Sequence, residues 1–218
     1  METLVEKYNH FKIPILAFIA ILIVCLIGYY LSKDKRVNSK INYISKYLKN
    51  NKSNALDFCS EKYRAYPLLD YHICSSANSI ASNLTKYDYY SPKMIEVAIS
   101  YGCRFIELEI HNKDLTIDTV PVISIGTERG RWKEGLNILN VEEVFSVIRK
   151  KAFSEELIPN YTDPFFIFFN LKTGGNIDTL NKLHDKILEL FGNRLLDRRY
   201  NNQKLDISNT SVCDLTDK

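Results

Sequence analysis

Gly102-Cys-Arg-Phe-Ile-Glu-Leu-Glu-Ile-His111 decides how the rest of the chain is read. From Ile106 onward apolar and polar residues alternate, a period of two that predicts a β-strand. The alternation places Glu107, Glu109 and His111 on one face and Ile106, Leu108 and Ile110 on the other. Two neighbouring carboxylates on one face repel each other. They make sense if both meet solvent, if they share a proton, or if they hold a divalent cation. His111 closes the strand, and reads either as a catalytic or ligating group or as a surface histidine at a strand end.

Strand-like and helix-like segments alternate on both sides of this stretch. Tyr71–Ser75 is apolar and extended. Ser91-Pro92 supplies a helix N-cap and first helical residue, and Gly102 ends that helix. Val120–Ile125 predicts a short strand. Asn140 with Glu143 forms a capping box before a helix reaching Phe153. Phe165–Leu171 is nearly all apolar, as in a strand covered on both faces. Ile177–Phe191 has the spacing of an amphipathic helix, ended by Gly192. Alternation of this kind predicts an α/β fold built on a parallel sheet or barrel.

The N-terminus differs in kind. Ile13–Leu31 holds 19 consecutive residues without a charge, enough to span about 28 Å as a helix and cross a bilayer. Pro14 stands near the start of that apolar run. A cleaved signal peptide has a shorter apolar core and small residues at its cleavage site. Tyr29-Tyr-Leu-Ser-Lys-Asp34 fits an uncleaved, single-pass anchor better. Lys7 and Lys12 precede the span, whereas Lys33, Lys35, Arg36, Lys40, Lys46 and Lys49 follow it. This bias places the large domain in the cytoplasm, or inside the virion membrane if the source is viral. Residues 1–12 are then a short tail, 13–31 the membrane helix, 32–65 a basic helical spacer and 66–218 the main domain. In the spacer Ile41, Ile44 and Leu48 recur at helical spacing. It reads either as a juxtamembrane helix on anionic lipid or as a linker helix packed on the domain.

With 29 basic and 26 acidic residues the net charge is only +3, too mild a basic excess to predict nucleic-acid binding. A hydrophobic share of 45% excludes a disordered tail. Of the five cysteines Cys25 lies in the apolar span, and Cys59, Cys74, Cys103 and Cys213, with no C-x-x-C pair, read as reduced thiols of a cytosolic domain. Asn51, Asn83, Asn160 and Asn209 each open an N-x-S/T sequon, which gains meaning only if the domain lies on the other side of the membrane.

Several of these stretches resemble the X-box half of phosphoinositide-specific phospholipase C. Tyr66–Ser79, an apolar stretch followed by serines and Ala77-Asn78, is similar to the family's opening strand, where His-Asn-Thr follows the serines. Gly102–Glu109 resembles the second-strand motif Gly-Cys-Arg-x-(Ile/Leu)-Glu-Leu-Asp almost letter for letter. Pro121–Gly126 resembles the third-strand motif and Pro164–Asn170 the fourth, while Leu195–Leu215 resembles the approach to the fifth. The resemblance thus runs from Tyr66 to the C-terminus and implies the N-terminal half of a (β/α)8 TIM-type barrel. It covers about 150 residues, against about 250 for a complete barrel. The chain stops where the fifth strand is expected, so it reads as a truncated frame or as a half that needs a second-half partner or another copy of itself.

Carried over residue by residue, the resemblance implies a calcium site of Asn78, Glu107, Glu109 and Asn170. Asn170 stands where the family has Glu, so the site has one negative charge fewer and calcium binding is expected to be weak. The family's two catalytic histidines fall on Ala77 and Ile125. In that family the inositol 2-hydroxyl attacks phosphorus, which needs a base for its proton and an acid for the leaving glyceride oxygen. Neither side chain does this, and each lost acid–base group costs about 10²–10⁴ in rate. The implied protein is therefore a membrane-anchored, catalytically degenerate phospholipase-C-like protein that keeps metal or phosphoinositide-headgroup binding. The alternatives are an active phosphoric diester hydrolase using Glu107, Glu109 and His111, and a structural membrane protein. Thr127, Glu128, Arg129 and Arg131 follow the third motif and Lys172 the fourth. The cations Arg129, Arg131 and Lys172 are candidates for a substrate phosphate, against ordinary solvated loop charges. His72 reads as a packing residue.

Overall fold

The computed structural model describes residues 4–50, 61–82, 88–127, 132–196, 200 and 210–216. They divide into two compact units, Met1–Lys40 and Ile41–Lys218.

In the first unit, helix α1 runs Leu4–Leu31. It begins well before the apolar run, so Pro14 lies inside the helix rather than at its first turn. Phe11–Leu31 has a mean hydropathy of 2.7 and is long and apolar enough to cross a membrane, a property that a signal sequence near an N-terminus shares. The polar end is built from local contacts. The Arg36 guanidinium stacks 3.6 Å from the Tyr29 ring and donates to Ser32 Oγ at 2.8 Å. Lys33 lies 4.7 Å from the Tyr30 ring.

Helix α2, Lys33–Asn50, carries on into the second unit. There Ile41 is buried, Ile44 and Leu48 are half-buried, and Tyr43 and Tyr47 are exposed. The Tyr101 hydroxyl donates to the Ser45 carbonyl at 2.7 Å. This bond ties the segment to the end of the helix that precedes Gly102.

Strand β2, Phe105–Asn112, is the axis of the sheet. β5 (Phe166–Lys172) runs parallel along its whole length, from Phe105↔Phe166 to His111↔Lys172. The other edge is shared. β1 (Ser75–Ser76) pairs in parallel with Phe105 and Ile106. β3 (Pro121–Ile123) pairs antiparallel with Ile110–Asn112, and β4 (Leu139–Asn140) pairs antiparallel with β3. The segment expected as a third parallel strand is thus the return arm of a hairpin, and Phe166–Lys172 is the third parallel strand. The extended opening strand also contracts, because Tyr71–Cys74 form no ladder and only Ser75 and Ser76 do. The fold is mixed α/β, and among the described residues the strands form an open sheet.

Helices α4 (Pro92–Ser100), α5 (Val141–Ala152) and α6 (Ile177–Phe191) contribute to one core with the sheet; the four-residue α3 (Glu61–Arg64) precedes β1 and the five-residue α7 (Val212–Thr216) follows α6. Ile106, Leu108 and Ile110 meet Ile95, Ile99, Val144, Phe145 and Ile148, all buried. Each such side chain stabilises by about 1.5–3 kcal/mol relative to exposure. Ser91 caps α4 by accepting from the Lys93 amide at 3.3 Å, and Asn176 caps α6 by accepting from the Thr179 amide at 2.9 Å. Asn140 occupies the N-cap position of α5 but its side chain makes no capping bond. β5 is not covered on both faces, since Phe168 and Leu171 are exposed.

At the N-terminal ends of β2 and β5 the buried Arg104 ties three segments together. Its Nε donates to Pro164 O at 3.3 Å, Nη1 to Ala152 O at 2.7 Å, and Nη2 to Asp163 O. Beside it, Asn160 is buried, and Arg64 donates to Thr162 Oγ1 at 2.6 Å and pairs with Asp163.

Candidate active site

The parallel register of β2 and β5 sets Glu109 beside Asn170, Glu107 beside Phe168 and His111 beside Lys172. Registered residues of parallel strands share a face, so all six side chains rise from the sheet face opposite the helices. Glu107 and Glu109 are half-buried, as the alternation implies. His111 is not a surface histidine, being wholly buried. Its ring lies against Gly126, in the loop that follows β3. A Cβ on Gly126 would sit 2.8 Å from His111 Cε1 and 2.2 Å from the Trp132 carbonyl oxygen, so only glycine lets that loop close over the ring.

Two hydrogen-bonded groups result. In the first, Asn170 Nδ2 donates to Glu107 Oε1 at 3.3 Å. In the second, Glu109 Oε2 takes the Gly126 amide at 3.0 Å and meets His111 Nε2 at 3.3 Å. Burial alone would raise the Glu109 pKa. The bonds from His111 and Gly126, with the charges of His111 and Lys172, outweigh it and hold the carboxyl below its ordinary value of 4.5. His111 Nδ1 is buried with no hydrogen-bond partner among the described residues.

The other expected site residues are placed less closely. Asn78 lies two residues beyond β1 in a left-handed conformation, with φ of 50°, which asparagine tolerates better than most residues. Its carbonyl accepts from the Ala81 amide at 2.9 Å, but no hydrogen bond among the described residues joins its side chain to either glutamate. Ala77 is exposed beside it. Ile125 is half-buried and packs against the core. His72 is exposed rather than packed. Lys172 is half-buried at the end of β5, and Thr127 is exposed. Glu128, Arg129 and Arg131 lie outside the described residues, as does Cys59.

Tyr90 was not legible as a site residue. It is buried, its amide donates to Asn137 Oδ1 at 2.7 Å, and its carbonyl accepts from Asn137 Nδ2 at 3.0 Å. Burial, then the charges of Glu134, Glu109 and Asp88, push its phenol up to about 12 against a hydrogen bond with the Ile125 backbone. Tyr90 therefore stays a protonated donor near Glu109. No local pattern could have revealed it, because only tertiary packing brings it there.

The donor set suits a hard cation in kind, with two carboxylates and two amide oxygens. It is sparse in number. Among the described residues no group of three or more His, Cys, Asp or Glu side chains is gathered for a metal. Each glutamate also has one oxygen engaged by a protein donor.

Comparison with known proteins agrees with this architecture. Residues 64–218 match the family described as phosphatidylinositol-specific phospholipase C, X domain. No curated protein matches the sequence. The crystal structures of L. pealei PLC21 and S. officinalis PLC21 are similar over 78% of this chain, each at 21% identity, with TM-scores of 0.57 and 0.59. The match takes in 20% of each of those chains, so this chain spans a small part of their length, and at that identity the likeness is one of fold. On the match over residues 64–218, the chain belongs to the family of the phosphatidylinositol-specific phospholipase C X domain.

Proposed function

We propose that this is a membrane-anchored X-domain protein that binds a phosphoinositide headgroup without hydrolysing it. The observation that carries the reading is the pair Ala77 and Ile125 at the positions of the family histidines, one ending in a methyl group and the other packed on the core. Neither can take the proton of an attacking hydroxyl or return one to a leaving oxygen. Lys172, with Arg129 and Arg131, would meet the headgroup phosphates. Calcium would be held by the second oxygens of Glu107 and Glu109 and by the amide oxygens of Asn78 and Asn170, and would supply charge neutralisation for a phosphate. Two charges and a non-converged donor set point to weak binding, with Kd on the order of 10⁻⁴–10⁻³ M. The α1 helix serves as the anchor in this reading, with the domain on the cytoplasmic side. The open sheet is completed by a second-half barrel partner or by another copy of the chain.

A second reading, an active phosphodiesterase, draws on the Glu109–His111 pair. Its weakness is that a wholly buried imidazole does not reach a substrate oxygen. Phosphatidylinositol-containing vesicles with the full chain, with and without calcium, separate the two. Headgroup binding without turnover is expected. Turnover that disappears in Glu107→Gln would establish the enzyme, and absence of both binding and turnover would leave a structural membrane protein. Restoring the histidines with Ala77→His and Ile125→His together is expected to raise turnover above background. No gain despite retained calcium binding would mean that the site has drifted beyond those two positions.

A further inference from the structure

Cys74 and Cys103 stand against each other where β1 meets β2. The amides of Arg104 and Phe105 both donate to the Cys74 carbonyl, at 3.0 and 3.2 Å. The Cys103 thiol reaches the same oxygen at 3.4 Å and also contacts the Cys74 side chain. Carried one residue back, the parallel register that opens at Ser75↔Phe105 sets Cys74 opposite Arg104, so Cys103 is its diagonal neighbour. One strand spacing combined with one step along the strand puts the two Cα atoms about 6 Å apart, inside the roughly 4.4–6.8 Å that a disulfide bridges. The two thiols differ in access, since Cys74 is exposed and Cys103 is 3% exposed. Burial, then the neighbouring Cys74, pushes the Cys103 thiol up to about 12, so it stays protonated while Cys74 meets solvent.

We propose that Cys74 and Cys103 are a reversible disulfide site, closed by a hydroperoxide. The Cys74 thiolate attacks the peroxide, the O–O bond breaks, and the departing oxygen leaves as an alcohol or water after taking a proton. Cys74 becomes a sulfenic acid. The Cys103 sulfur then attacks the Cys74 sulfur, and its proton leaves with the hydroxyl as water. Two thiols have lost two electrons and two protons, and the hydroperoxide has been reduced to an alcohol (or water) and water. A dithiol reverses the bond by exchange. The disulfide staples β1, which otherwise pairs through two residues, to the central strand. It also fixes one wall of a cavity of about 620 Å³ at the N-terminal strand ends, lined by Cys74, Arg104, Tyr71 and Phe166 among others.

The test uses the full chain in detergent micelles, oxidised with hydrogen peroxide, alkylated and digested with trypsin, which cuts between the two cysteines at Lys93. Mass spectrometry without reduction is expected to find the Cys74 and Cys103 peptides joined and two hydrogens lighter, and dithiothreitol should separate them. Oxidation should raise Tm by about 5–10 °C. Cys74→Ser, an exposed and fold-neutral change, should remove both signals, and Cys213→Ser neither. Cys74 joined to Cys59 or Cys213, or both thiols still alkylated after peroxide, would overturn the proposal.

Discussion

At the N-terminal end of the β2–β5 pair Arg104 is buried with each arm of its guanidinium on a carbonyl, whereas at the C-terminal end His111 is buried with Nδ1 unpartnered among the described residues. The two carboxylates beside them also diverge. Burial raises the Asp163 pKa above 3.8 despite Arg104 and Arg64, while donated hydrogen bonds lower that of Glu109 below 4.5 despite burial. A fully satisfied buried charge fixes a junction and leaves nothing for a ligand to gain. A buried polar atom without a partner costs stability, and it persists where something beyond stability keeps it. In the proposed reading the Arg104 end is architecture and the Glu109–His111 end is the site.

The largest blow to this contrast should come from Arg104→Ala, which strands three carbonyls, that of the buried Ala152 among them. A loss of about 3–5 kcal/mol is expected, read as a fall in Tm by circular dichroism. Arg104→Lys keeps the charge without the fork and should lose about half as much. A change below about 1 kcal/mol for Arg104→Ala would remove the architectural role. At the other end Gly126→Ala forces a Cβ into Trp132 O and the His111 ring, with an expected loss of about 1–3 kcal/mol. Imidazole NMR signals of His111 should shift in that variant, and unchanged signals would show that the loop yields elsewhere.

Acid titration sharpens the divergence of the two carboxylates. Glu109 has a lowered folded pKa, so its contribution is fully present above 4.5 and is lost as pH falls through the lowered value. Asp163 has a raised one, so its contribution is fully present below 3.8 and is lost as pH rises through the raised value. Glu109→Gln should flatten the acid limb of a Tm–pH curve and Asp163→Asn should not. The reverse result would exchange the two assignments. The smallest effect belongs to the surface pair Lys151–Glu96, at 2.6 Å and partly exposed, where Glu96→Gln should change stability by about 0–1 kcal/mol.

Much of the site was visible in ten residues, and the misses have definite causes. The alternation over Ile106–His111 placed both glutamates correctly because a period of two admits one assignment of faces. It could not reveal that His111 is covered, since Gly126 reaches its ring from beyond the hairpin. The direction of Pro121–Ile123 was within reach. Only eight residues separate Asn112 from Pro121, too few for a parallel crossover of a dozen or more. Phe165–Leu171 misled because a nearly all-apolar run predicts cover on both faces, and in this open sheet Phe168 and Leu171 lack it. Tyr90 and the Arg104 junction join segments distant in sequence, and no local pattern encodes such meetings.

The burial of Asn160 at that junction bears on how the chain's topology can be read. Asn160 opens a sequon whose Thr162 hydroxyl already takes a hydrogen bond from Arg64. An oligosaccharide needs an exposed, extended acceptor, and the folded domain presents neither. A glycan at Asn160 would therefore mark chains modified before folding, and its absence would say nothing about which side of a membrane the domain occupies.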